Sequence, residues 1–357
     1  MRKPLLALLA LLWGAMTAVA ATQVVPPTDA RIQYTGRINF TDSLRPWFSY
    51  PGTQICVRYK GSGLAMMAKP GSGYFVVVLD DQSPRKVFFS DADSVLTVAS
   101  TPQGGKHTVR IVLAYEGYAK RPEFRGFYLA HDTRLLAPPR RPKHRIEFIG
   151  NSITCGYGNE APGRDYGFAD STENHYITYA AIAARVLHAE EMCVARSGIG
   201  AYRNYNGRRE GDTNTMPQWY DFTNIYDSTQ VWDHSSFRPE VICVNLGTND
   251  LSTPNHDVQL YRRAYRRFIL HLHEVQPQAQ IVMLTGCMLL GKPLDEKRAA
   301  LDELCAELKG MGLPVHRFDM EPHDGSLGYG ASWHPSALQH RKMAGELVPF
   351  LRPLLGE

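Results

Sequence analysis

From residue 145 to the end of the chain, short apolar runs alternate with longer segments whose apolar residues recur every three or four positions, and few folds accommodate that rhythm. Strand-like runs at 145–149, 192–195, 241–245, 281–285 and 315–319 are separated by helix-like segments at about 176–190, 258–275, 294–309 and 336–351. In the 258–275 segment Leu260, Tyr261, Ala264, Tyr265, Phe268, Leu272 and Val275 fall on one helical face. Strands that alternate with helices run parallel, because parallel neighbours need a crossover. The pattern predicts a five-stranded parallel sheet in a three-layer α/β/α domain over residues 144–357.

The preceding region has a different rhythm. Runs at 55–59, 74–79, 86–89, 94–98 and 107–113 are strand-like, and Gly61, Gly63, Asp80-Asp81 and Gly104-Gly105 punctuate them as turns. No helix-period segment interrupts them, which predicts an all-β, jelly-roll-like sandwich over residues 21–136. Residues 137–143 hold three prolines, Pro138, Pro139 and Pro142, and prolines cannot join a strand ladder, so this stretch is the linker. A length of 357 residues suits two domains.

The first twenty residues carry an address. Arg2 and Lys3 precede an apolar run from Leu5 to Trp13, and Ala18-Val19-Ala20 supplies a small-residue cleavage site. The sequence predicts a signal peptide cut near Ala20 and a secreted or periplasmic product that acts as a monomer. No later run is long enough to span a bilayer. A net charge of +4 is too diffuse for nucleic acid, and the arginines of 203–209 and 262–267 read as solvated faces. Cys193, Cys243 and Cys287 lie in or beside strands, where a free thiol behaves as a small core hydrophobe. The six cysteines lack paired C-x-x-C spacing, so neither metal nor cofactor is expected.

If the sheet is parallel, the loops leaving its strands gather at one edge, where open α/β sheets bind ligands. Four of them hold Ser152, Ser197-Gly198, Asn249 and His334. Alone, Ser152, Gly198 or Asn249 reads as a turn residue. Together, in chain order at successive strand ends, they supply what acyl transfer needs. A serine hydroxyl is a weak nucleophile until a base takes its proton, and His334 is that base. A tetrahedral intermediate needs donors aimed at its oxyanion, for which the Ser152 and Gly198 backbone N–H groups and the Asn249 amide are suited. Trp333 is either core or an aromatic surface for a pyranose ring.

Gly150-Asn-Ser-Ile-Thr154, Ser197-Gly198, Gly247-Thr-Asn-Asp250 and Trp333-His-Pro335 resemble the four blocks of the SGNH, or GDSL-like, hydrolase superfamily. With a sandwich in front, and with Tyr34-Thr-Gly-Arg37, Phe48-Ser-Tyr-Pro-Gly52 and 201–207, the layout is similar to carbohydrate esterase family 2. The resemblance implies a serine esterase acting on acetylated plant polysaccharide or oligosaccharide, xylan or glucomannan, with Trp333 as the sugar platform. One position departs from the superfamily pattern: Ala331 stands where an Asp usually orients the histidine, and Ser332 stands where some relatives carry it. A backbone carbonyl is expected to orient His334, with Asp324 or Asp319 as substitutes. A lipid or aryl esterase and a catalytically silent glycan-binding protein are the competing readings. An ordinary histidine would lose activity below pH ~6 to 7.

Overall fold

In the computed structural model, which describes residues 23–357, the amino-terminal region is two antiparallel sheets that share one core. The first runs Gln23–Val25, Phe124–Leu129, Gly63–Ala68 and Val95–Ser100 from edge to edge. The second runs Arg134–Leu135, Gln54–Lys60, Lys106–Leu113, Gly73–Leu79 and Arg85–Phe89, with Gln33–Thr35 also paired to Gln54–Lys60. Leu64, Met66, Val98 and Phe127 of the first sheet meet Ile55, Val57, Val77 and Ile111 of the second. The expected signal peptide lies outside the described residues.

Two central strands of the first sheet escape the sequence reading. Gly63–Ala68 is built of Gly, Leu, Ala and Met, none of them β-branched, and its pairing on both sides rather than its propensity makes it a strand. Phe124–Leu129 carries Gly126 in its interior at φ +105°, where a Cβ would stand 2.1 Å from the Val25 carbonyl oxygen. Interior glycine weakens a strand signal but permits this close approach.

The carboxy-terminal region contains the expected parallel sheet. Its strands are β1 (His144–Gly150), β2 (Ala189–Ala195), β3 (Val241–Asn245), β4 (Gln280–Leu284) and β5 (Val315–Phe318), in the order β2-β1-β3-β4-β5. On one face Ile149, Ile242 and Val244 pack against Tyr261, Leu272, Leu301 and Leu304 of the helices Val258–Val275 and Gly291–Gly310. On the other, Ile146, Phe148 and Cys243 pack against Ala180, Ala183, Met343 and Leu347 of Tyr179–Val186 and Ala337–Leu354. The helix expected over 176–190 is shorter: it stops at Val186, His188 takes φ +46°, and Ala189-Glu190-Glu191 enter β2. Those residues favour helices, but their pairing with His144, Arg145 and Ile146 of β1 decides otherwise.

The regions are tied together through buried polar contacts. Arg37, fully buried, meets the equally buried Glu147 of β1 at 3.2 Å and donates to the Phe222 carbonyl at 3.0 Å and to that of Tyr220. His175 N–H donates to the Ala114 carbonyl at 2.8 Å. The proline-rich stretch is pinned as well: Gln33 donates to the Pro139 carbonyl at 3.0 Å, and Arg141 pairs with Glu190. Cys243 and Cys287 are buried in one apolar core, while Cys193 packs with Cys155 and Ala195.

Candidate active site

In the order β2-β1-β3, the chain leaving β1 returns over one face of the sheet and the chain leaving β3 returns over the other. The crevice between their carboxyl ends is the switch point at which such sheets bind ligands. Ser152 follows β1 and Asn249 follows β3. Between Gly150 and Ser152 the turn is tight, since a Cβ on Gly150 would lie 2.1 Å from the Thr154 hydroxyl. Asn151 caps the one-turn helix Ser152–Cys155 by accepting from the Ile153 N–H at 3.1 Å, and Gly156 ends it at φ +94°.

The histidine loop docks on this turn backbone to backbone. Ala331 N–H donates to the Gly158 carbonyl at 2.9 Å, and a Cβ on Gly158 would lie 2.3 Å from that of Ala331. Gly330 N–H and the His334 carbonyl close the loop at 2.8 Å, with Ser332 and Trp333 both at positive φ. Non-glycine residues hold that conformation only where the surroundings enforce it. The result brings His334 Nε2 to 2.8 Å from Ser152 Oγ.

The other imidazole nitrogen, Nδ1, donates to the carbonyl oxygens of Ala331 at 3.0 Å and Ser332 at 3.2 Å. The two positions that lack the carboxylate thus orient the ring through their backbones, which leaves Nε2 free to accept from the serine. Neither alternative carboxylate does this: Asp319 pairs with Arg317 and Arg298, and Asp324 caps the Ser326 N–H at 2.8 Å. Tyr157 stacks on the ring at 4.1 Å, backed by Phe168. Burial pushes the His334 pKa down to about 4, against the Ala331 and Ser332 carbonyls, which favour the charged ring. That is well below the range of an ordinary histidine.

The expected oxyanion donors are placed by the neighbouring loops. Gly198 stands at φ +78° after β2, and neither its N–H nor that of Ser152 donates to a group among the described residues. The Asn249 amide gives one N–H to the Ile199 carbonyl at 2.7 Å, which fixes its rotamer and leaves the second hydrogen. Asp250 binds the second loop to the third, accepting from the N–H groups of Ala201, Tyr202 and Arg203 at 2.8 to 3.2 Å. Arg203, expected in a solvated run, is buried and donates to the Asp250 carbonyl at 2.8 Å. Trp333 is 52% exposed, with the Arg164 guanidinium 4.1 Å from its ring centre. It is therefore not a core residue.

One cluster at the base of the site is invisible in the sequence. The carboxyls of Glu116 and Glu173 and the thiol of Cys155, all buried, have atoms within 4.8 Å of one another. The three come from separate segments without motif spacing. They are ligand types for a metal, but burial raises both carboxyls, Glu173 well above the usual range with the neighbouring Glu116 as a further cause. A proton on one of the pair answers the charge.

Fold and site together define an SGNH, or GDSL-like, hydrolase, and residues 148–342 match the model of the GDSL-like Lipase/Acylhydrolase family. Residues 34–139 match the amino-terminal model of carbohydrate esterase 2. The chain is 34% identical to the cellulase/esterase CelE of Acetivibrio thermocellus over 91% of its own length, spanning 40% of that protein. It is 30% identical to an acetylxylan esterase / glucomannan deacetylase of Cellvibrio japonicus, covering 94% of this chain and 92% of the relative. Its backbone superposes with a TM-score of 0.84 on a family two carbohydrate esterase from Clostridium thermocellum solved with cellohexaose, at 34% identity over 91% of this chain and 99% of that one. The chain belongs to carbohydrate esterase family 2.

Proposed function

We propose that the protein is an exported, monomeric O-acetyl esterase that removes acetyl groups from plant cell-wall polysaccharide, xylan or glucomannan, through an acetyl-enzyme. The observation that carries this reading is the 2.8 Å contact between Ser152 Oγ and a His334 ring held through Nδ1 by two backbone carbonyls. Relatives named acetylxylan esterase / glucomannan deacetylase support the substrate class. Ser152 Oγ attacks the acetyl carbonyl as its proton passes to His334 Nε2. The Ser152 and Gly198 N–H groups and the Asn249 amide receive the oxyanion. His334 then protonates the departing sugar oxygen, and a water, deprotonated by the same nitrogen, releases acetate.

The exposed Trp333 stands on the histidine loop itself, and a flat indole at that position favours a pyranose over a flexible acyl chain. Among the described residues no helix is long and apolar enough to cross a membrane. Export rests on the expected signal peptide. The test is acetate release from acetylated xylan and acetylated glucomannan, comparing wild type with Ser152→Ala and His334→Ala. Wild type is expected to release acetate and each variant to lose at least about 1000-fold. A wild type silent on both polymers and on a small aryl acetate would leave a glycan-binding protein instead.

A further inference from the structure

We propose that Glu116, a residue of the amino-terminal sandwich, is a positioning residue for the reaction: it fixes the turn that aims the Gly198 N–H at the oxyanion. The inference rests on the esterase reading above. Ser197 precedes Gly198, and both of its backbone groups are held. Its N–H donates to Glu116 Oε1 at 2.7 Å, at the short end of the hydrogen-bond range. Its carbonyl accepts from the Arg196 guanidinium. In a planar trans peptide the carbonyl of Ser197 and the N–H of Gly198 point in opposite directions, so a cation on the first sets the direction of the second and strengthens it as a donor. The peptide on the other side of Ser197 is held too, since the Arg196 carbonyl accepts from the Ile199 N–H at 3.3 Å.

The sandwich supplies Glu116 directly and contributes Tyr118 to the packing of Arg196. Arg196 sits against the edge-to-face pair of Tyr118, at 5.4 Å, and Tyr226 of the hydrolase region, at 5.3 Å, and Tyr118 follows Glu116 by two residues. Glu116 is locked in its turn: its own N–H donates to Glu173 Oε2 at 3.2 Å, and the next N–H, of Gly117, donates to the Ser49 carbonyl at 2.9 Å. Two adjacent buried carboxyls cannot both ionise. Burial raises both, and a proton shared by the pair leaves Glu116 Oε1 facing the Ser197 N–H as its acceptor. Cys155, the third member of the cluster, is the last residue of the helix that begins with Ser152, so the same group of atoms backs the nucleophile's helix and the oxyanion turn.

The test compares Glu116→Asp, which keeps the charge but withdraws it by a methylene, with Glu116→Gln, which keeps the reach but not the charge. Active sites are titrated with a fluorophosphonate, so that misfolded protein is not counted. Turnover of an aryl acetate is then set beside the affinity for a small alkylboronic acid. The boronic acid adds Ser152 Oγ to boron, the serine proton passing to His334, and presents an oxyanion-like oxygen. Glu116→Asp is expected to lose about 100-fold in kcat per titrated site, to weaken the boronate by a similar factor, and to leave KM within about threefold. Glu116→Gln is expected to stay within about tenfold of wild type in both. Glu116→Asp retaining kcat within about threefold, or losing kcat with boronate affinity unchanged, would overturn the positioning role. A wild type without turnover would instead sink the esterase reading.

Discussion

At the residue scale His334 is the group whose charge state decides the proposed reaction. The imidazole must be neutral to take the Ser152 proton, so protonation removes activity as pH falls through its pKa. Burial depresses that value to about 4, and the acid limb of kcat/KM on an aryl acetate is therefore expected near pH 4. A half-maximum near the ordinary histidine value of ~6.5 would show that the ring is charged far more easily than its surroundings imply. The candidates Ser152, Gly198 and Asn249 are legible in the sequence because each stands within four residues of a strand end, where the parallel topology gathers it, whereas His334 lies sixteen residues beyond β5 and is picked out by the Trp333-His-Pro335 block. What orients His334 is only half legible: the missing Asp points to a carbonyl, but which carbonyl depends on Ser332 and Trp333 adopting positive φ. Glu116 and Glu173 leave no trace, since their meeting is made by domain packing.

At the element scale the loops after β2 and β3 act as one piece. Asp250 accepts from three consecutive backbone N–H groups while Asn249 beside it grips the Ile199 carbonyl. Asp250→Ala strands those donors in a buried site, at a cost of about 3 kcal/mol, and is expected to reduce kcat at least about tenfold by loosening Asn249. Urea unfolding and turnover of an aryl acetate measure the two effects. A variant as stable and active as wild type would mean that the loops hold independently. The helix Val258–Val275 and the positions of the five parallel strands follow from periodicity, because burial on a sheet face demands the spacing. Gly63–Ala68, Phe124–Leu129 and the start of β2 do not, because long-range pairing makes strands of residues whose local preferences point elsewhere.

At the scale of the whole molecule the sandwich is a wall of the hydrolase. Arg37 reaches from it to Glu147 on β1, and both side chains are fully buried. Burial raises the Glu147 carboxyl and Arg37 pulls it back. Arg37→Met is expected to destabilise the protein by about 3 to 5 kcal/mol by leaving that acid unpaired, with Arg37→Met/Glu147→Gln recovering part of the loss in denaturant titration. A loss below about 1 kcal/mol would mean that the pair contributes little to joining the regions. These contacts surround the proposed nucleophile, Ser152, at the edge of the parallel sheet with His334 Nε2 2.8 Å from its hydroxyl. Labelling with a fluorophosphonate, followed by mass analysis of the peptides, tests it most directly. Covalent modification is expected on Ser152 alone, absent from Ser152→Ala and slowed in His334→Ala. Modification of a different residue, or a wild type left unlabelled, would contradict the assignment of Ser152 as the nucleophile.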